Sequence, residues 1–270
     1  MVYSMKLHEN PTLFQNAVQA TAMHLGIPDI FVEKDYWLVT ILKKLSESPY
    51  RDIFVFKGGT SLSKAFGLIE RFSEDVDLAL LAQDLSGNQV KSRIDKVSKE
   101  ITRHLEEVQI EGTTKKWSRF RRTAHRYPMV TAQEIQAQIT AYLVLELNAF
   151  GNPYPYKNTP IQSFIAAFFL AQNQEELVQV YQLEPVSIQV LEPERTFGEK
   201  VLALARASYH QEPTVQLQSK IRHAYDLHIL MENANLQNFV DSALFFETLK
   251  QVQADDATSR EFQGEWNAYP

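Results

Sequence analysis

The chain has no cysteine among its 270 residues, which excludes a disulfide framework and any thiolate metal site. Long hydrophobic runs are missing too. The longest, FIAAFFLA from Phe164 to Ala171, is far too short to cross a bilayer, which takes about 20 residues. The first residues, MVYSMKLHENPTLF, lack the basic-then-apolar layout of a secretory leader. The expectation is a cytoplasmic protein with no membrane partner. Surplus positive charge is absent as well. A formal charge of −6 argues against a blanket nucleic-acid coat, because phosphates are usually neutralised by excess Lys and Arg. No Gly-Lys-Ser/Thr follows a glycine loop at the spacing of a Walker motif. No Ser-His-Asp or Cys-His grouping emerges, and His223 and His228, five apart, point in different directions on a helix.

What is present suffices for a core of one large domain or two modest ones, with 44% hydrophobic and 22% charged residues. Residues 10–48 read as helices, with Asn10-Pro11-Thr12 as a start signal and Phe31, Trp37, Leu38, Ile41, Leu42 and Leu45 on one apolar stripe. DIFVFKGG reads as a strand closing on glycines. TSLSKAFGLI reads as a short helix with Thr60 or Ser61 as N-cap, and EDVDLALL as the next strand. The spacing of Ile94, Val97, Ile101, Leu105 and Val108 predicts one amphipathic helix over 90–108. Strands are expected within 113–123, near 127–132 and over 139–150. A Pro- and Tyr-rich loop follows at 151–160, and a last strand covers 186–193. Beyond it the pattern is helical, with QLQSKIRHAYDLHILME as one helix. This order predicts an α/β lobe over residues 1–195 followed by a helical lobe over 196–270.

The stretch FKGGTSLSKAFGLIERFSEDVDLAL, residues 56–80, carries the chemistry. Strand alternation puts Ser73, Asp75 and Asp77 on one face, and Glu74, Val76 and Leu78 on the other. Folding alone does not call for two acids that repel each other in an apolar strand. A hard divalent cation such as Mg²⁺ does, since it takes oxygen ligands and leaves positions for substrate phosphate. Gly58 and Gly59 stand where a helix begins, and the bare amides there favour a phosphate. A glycine pair alone is an ordinary turn, and Asp-x-Asp alone an ordinary solvated edge. Their combination points to a nucleoside-triphosphate site.

This stretch resembles the signature of the AbiEii/AbiGii nucleotidyltransferase toxins, a branch of the DNA polymerase β-like nucleotidyltransferase superfamily. VEKDYWLVTIL upstream and KIRHAYDLHIL downstream also resemble that branch, so the likeness runs from about Phe31 to Leu230. It implies an α/β (α+β) polymerase β-like core with a mixed sheet, preceded by N-terminal helices and followed by a helical C-terminal lobe. It further implies that Gly58, Gly59, Thr60 and Ser61 hold the triphosphate, with Lys57, Lys64, Ser73 and Lys200 as further nucleotide-binding candidates. Asp75 and Asp77 would bind Mg²⁺ or Mn²⁺. Glu146, the one acid within the apolar LVLELNAF, is the candidate third carboxylate, as metal ligand or base; its plainer reading is an acid facing solvent at an edge. Lys200 stands where the family has a lysine on the nucleotide, and Asp226 matches the fourth motif, able to orient Lys200. Lys220 and Arg222 are nearby candidates for phosphate contact, while Lys34 and Asp35 read as structural supports.

Between Lys115 and Arg126 the run KKWSRFRRTAHR holds six Lys or Arg and no acid. Its Lys115, Lys116, Trp117, Arg119, Arg121 and Arg122 are candidates to track an RNA backbone and stack on unpaired bases. The plainer reading is a pair of edge strands protected by charge. Within the resemblance, the expected partners are an NTP, an RNA or tRNA acceptor and a cognate antitoxin. A small-molecule or protein hydroxyl as acceptor, and a non-catalytic nucleotide-binding regulator, stand as alternatives.

Overall fold

The computed structural model describes residues 5–71, 75–131, 142–257, 262 and 266. Two helices open the chain, α1 (Pro11–Leu25) and α2 (Asp29–Ser46). Asn10 starts α1 as expected, its side chain accepting from the Leu13 amide, with Pro11 in the first turn. Strand β1 (Phe54–Lys57) runs directly into α3 (Gly58–Lys64), and β2 (Asp75–Leu80) follows. Then come α4 (Gly87–Thr102), β3 (Glu106–Val108), β4 (Lys115–Lys116), β5 (Phe120–Arg126), β6 (Leu143–Asn148) and β7 (Tyr156–Ile161). Helices α5 (Phe164–Ala171) and α6 (Glu175–Val180) lead to β8 (Val186–Leu191). The remainder is helical: α7 (Pro193–Ser208), α8 (Pro213–Ser219), α9 (Ile221–Leu230), α10 (Ala234–Val240) and α11 (Ala243–Ala257). No described helix is long and apolar enough to cross a membrane.

The strands form one mixed sheet in the order β3-β5-β6-β2-β1-β8-β7, with β4 paired to β5. Strand alternation divides its two faces. Phe54, Phe56, Val76, Leu78, Leu145 and Leu147 point to one side and join a core with α1, α2, α4 and α5. Burying such apolar side chains contributes about 1.5–3 kcal/mol each. The opposite face carries Lys57, Asp75, Asp77 and Glu146 and is turned toward α7 and α9. A second cluster of Leu62, Ile69, Phe197, Leu230, Leu236 and Phe239 ties α3 to α7, α9 and α10.

Several expectations are corrected. The helix predicted over 90–108 ends at Thr102, and Val108 pairs instead with Ala124 in the sheet. No strand covers 127–131, where the buried Glu33 carboxylate accepts from the amides of Val130 and Thr131 and from the Thr131 hydroxyl. The Pro-rich loop expected to 160 yields to β7 from Tyr156. Its Pro160 is tolerated because β7 is an edge strand, where a missing donor costs no ladder bond. The helix expected over 216–232 breaks at Lys220, leaving α8 and α9.

Candidate active site

A cavity of about 530 Å³ lies between the polar face of the sheet and helices α7, α9 and α11. Its floor follows the strand register. Lys57 on β1 is opposite Asp77 on β2, Asp77 is beside Glu146 on β6, Glu146 is opposite Arg122 on β5, and Arg122 is opposite Lys115 on β4. Asp75, two residues before Asp77, shares the same face. The acids are therefore adjacent in space although 69 positions separate Asp77 from Glu146 in the chain (146 − 77).

The electrostatics follow from that crowding. Burial raises the Asp77 pKa well above the carboxylate range; Glu146 and Asp75 add to this, while Lys57 and Arg122 oppose it. Burial also raises Glu146, again opposed by Arg122 and Lys57. Lys57 is itself held by Glu199 at 2.6 Å, whose carboxyl stays low because Lys57 and Arg195 outweigh its burial.

Gly58 sits at φ +83°, a left-handed conformation that favours glycine, and a Cβ there would lie 2.3 Å from Asp77 Oδ2. The Asp77 carboxylate is thus lodged against the glycine turn. Lys57 is the N-cap residue of α3, so Thr60 and Ser61 are inside the helix rather than capping it. The Thr60 hydroxyl donates to the Asp75 carbonyl at 2.6 Å, and the Ser61 hydroxyl to the Gly58 carbonyl at 2.9 Å. Both are buried and neither lines the cavity. They brace the turn and the acidic strand against each other.

Across the cavity, Asp226 is fully buried. Arg71 grips it through two bonds of 2.6 and 2.7 Å, and Lys200 Nζ is 2.9 Å away. Burial pushes the Asp226 carboxyl up, but Arg71 and Lys200 outweigh it and hold the pKa low. One turn earlier on α9, burial and the charges of Lys200 and Lys220 push His223 down to about 3, so this imidazole is neutral. Lys220 and Arg222 also reach the cavity lining.

The floor and walls thus bring together Lys57, Gly58, Gly59, Asp75, Asp77 and Glu146 with Lys200 and Asp226. Lys64 is not among them. Six residues after Gly58 it has rotated to the far side of α3, where it pairs with buried Asp35 at 2.5 Å and lies over the Phe164 ring. Ser73 lies outside the described residues. The basic run does not form one surface either, because successive strand residues face opposite ways. Arg121 turns toward α4 and pairs with Asp95, whereas Arg122 faces the cavity. Lys116 pairs with Glu107, Arg119 donates to the Ala149 carbonyl, and Lys115 lines the cavity while lying near the exposed ring of Trp117.

Sequence reasoning missed Arg71, Arg195, Arg206, Phe150 and Phe262, while Phe120 was noted within the basic run. Arg195 pairs with Glu199 and Asp255, and Arg206 with Asp256, so α11 is fastened to α7 at the cavity wall. Arg195 and Glu199 had a legible signal in their i, i+4 spacing. Phe120, Phe150 and Phe262 form a contiguous aromatic wall, with ring centroids 5.7 and 5.5 Å apart.

Comparison with known proteins matches residues 40–268 to the family of the AbiEii nucleotidyl transferase toxin, a type IV toxin–antitoxin system. The chain belongs to this family. The family is described as that of a nucleotidyl transferase toxin of a type IV toxin–antitoxin system. Among solved structures it is similar to MenT4, a nucleotidyltransferase toxin of Mycobacterium tuberculosis. That likeness has 20% identity and a TM-score of 0.45, covering 70% of this chain and 59% of that one. It is also similar to an antigenic nucleotidyltransferase-like protein of Paracoccidioides brasiliensis, with 14% identity and a TM-score of 0.35, covering 81% and 93%. No curated protein matches its sequence. The family match alone supports the assignment of this AbiEii-family chain.

Proposed function

We propose that this AbiEii-family enzyme is metal-dependent and transfers a nucleoside monophosphate from an NTP to an RNA 3′-hydroxyl, with tRNA as the acceptor class. The supporting observation is the row of carboxylates on β2 and β6 lodged against the Gly58 turn. Three carboxylates facing one cavity are the oxygen donors that Mg²⁺ or Mn²⁺ takes. Asp75 and Asp77, with Glu146 beside them, would hold the ion. Among the described residues no three acids or imidazoles already converge on one ion position, so triphosphate oxygens would complete its shell. Once bound, the ion would neutralise charge on the reacting phosphate.

The chain's own residues account for the remainder. The amides at Gly58 and Gly59 receive the phosphate tail. Lys200, held by Asp226, faces the charge that develops on the leaving pyrophosphate. The acceptor oxygen bonds to the α-phosphorus, and the bond from that phosphorus to the β-bridging oxygen breaks. Pyrophosphate departs with the electron pair, and the hydroxyl proton passes to Glu146, the carboxylate on the side away from the glycine turn. Phe120 and Phe150 offer faces for a base beside Arg122 and Lys115. The same reading keeps the division near residue 195, the cytoplasm as its compartment and a role in toxin–antitoxin or phage-abortive defence.

A second reading keeps the chemistry and makes the acceptor a small molecule or a protein hydroxyl. It is favoured by the internal engagement of Lys116, Arg119 and Arg121, which leaves no continuous basic track. Incubating the enzyme with each α-labelled NTP, Mg²⁺ and total RNA separates the two. Label on RNA 3′ ends, lost in Asp75→Ala/Asp77→Ala, is the expected result. Label on a protein or metabolite supports the second reading, and label nowhere overturns both.

A further inference from the structure

Arg122 is placed as no ordinary ion-pair arginine would be. It stands opposite Glu146 in the register, on the side of the acids away from the Gly58 turn. Its Nη2 is 3.5 Å from Asp75 Oδ2, a single long contact. The arginine across the same cavity shows what a structural pair looks like here, since Arg71 holds Asp226 through two bonds of 2.6 and 2.7 Å. Among the described residues, Arg122 Nε is buried and has no hydrogen-bond partner. A buried donor left unmade is expensive, and it points to an acceptor that arrives with the substrate.

The charge balance indicates what the guanidinium replaces. Arg122 and Lys57 flank Glu146 and Asp77 along one row, with Lys115 beyond Arg122 and Asp75 two residues before Asp77. Two-ion phosphoryl transfer needs a second divalent cation on the attacking side, shared among the carboxylates. Here that side is occupied by a guanidinium, which cannot shed its proton to make room. Its charge opposes the upward shifts of Asp77 and Glu146.

We propose that Arg122 is a further catalytic residue that takes the place of a second metal ion. The site then holds one divalent cation, and Arg122 Nε–H donates to a substrate oxygen on the attacking side. This inference rests on the reading of Asp75 and Asp77 as the reaction centre. An arginine, unlike an ion, gives directed donors as well as charge, so it would fix the acceptor's approach.

Counting bound Mn²⁺ by electron paramagnetic resonance, with a saturating α,β-methylene NTP analogue, tests this without turnover. The expected count is one ion per wild-type chain, one for Arg122→Lys and two for Arg122→Gln. Arg122→Gln should also lower kcat about 100-fold at an unchanged KM for NTP. Two ions in the wild type overturn the inference while leaving the transferase reading intact; none overturns both. A count of one in folded Arg122→Gln likewise overturns it. Should that variant fail to fold, the wild-type count decides alone.

Discussion

Gly58 and Asp77 are fitted to each other: the space a Cβ would need on Gly58 is filled by the Asp77 carboxylate, whose Oδ2 would be 2.3 Å away. The left-handed backbone at Gly58 adds a second reason for glycine. Gly58→Ala therefore has to strain the turn and displace the acid together. The expected cost is about 1–3 kcal/mol of stability. Loss of NTP binding should exceed it in consequence, read as a thermal shift by NTP that disappears. A variant that keeps the wild-type shift would show that Asp77 is not seated by the turn.

Asp226 is the shared anchor of Arg71 and Lys200. Removing one partner of a buried ion pair costs about 3–5 kcal/mol, because the remaining charge is uncompensated. Asp226→Ala should lose stability of that order in urea unfolding. Lys200→Met, which leaves Arg71 on the carboxylate, should fold better and lose kcat instead. Equal stability loss in both variants would contradict the division of labour.

The strand–glycine–helix–strand unit of residues 54–80 was legible because each part has a local signal: an apolar run, a glycine pair, an alternating acidic strand. Glu146 was legible for the same reason, as a lone acid in an apolar strand. The rest depends on partners far away in the chain. Arg71 meets Asp226 across 155 positions and Arg195 meets Asp255 across 60, so neither leaves a local trace. Lys64 misled because the glycine motif marks where a helix begins, while helical rotation decides which side chains face the ligand. In β7, edge position overrode the turn propensity of its one proline, Pro160.

Lys64 and Asp35 form a buried pair on the side of α3 away from the cavity, and Asp35 also accepts from the Phe164 amide at 2.6 Å. Burial raises the Asp35 pKa, opposed chiefly by Lys64. Asp35→Ala should cost about 3–5 kcal/mol. Lys64→Met should destabilise without changing the KM for NTP, measured at a temperature where the variant is folded. A raised KM would restore Lys64 to the nucleotide site.

Asp256 provides a pH test. Burial raises its pKa to about 6, with Glu199 adding and the charges of Arg206, Lys57 and Arg195 opposing. An unfolded aspartate titrates near 3.9. The folded form therefore binds the proton more tightly, and the stability this contributes is complete below about pH 4 and lost as pH rises through 6. Relative to Asp256→Asn, the wild type should lose about 2–3 kcal/mol between those values and nothing further above them. Denaturation curves that stay parallel from pH 4 to 7 would contradict the assignment.

Pyrophosphate release is the most direct measurement of the central claim. With NTPs, Mg²⁺ and RNA, the wild type should release pyrophosphate continuously. Asp77→Asn, which keeps the shape of the side chain and removes its charge, should lower the rate by at least about 100-fold at near-native stability. A folded Asp77→Asn enzyme that releases pyrophosphate at the wild-type rate would contradict it.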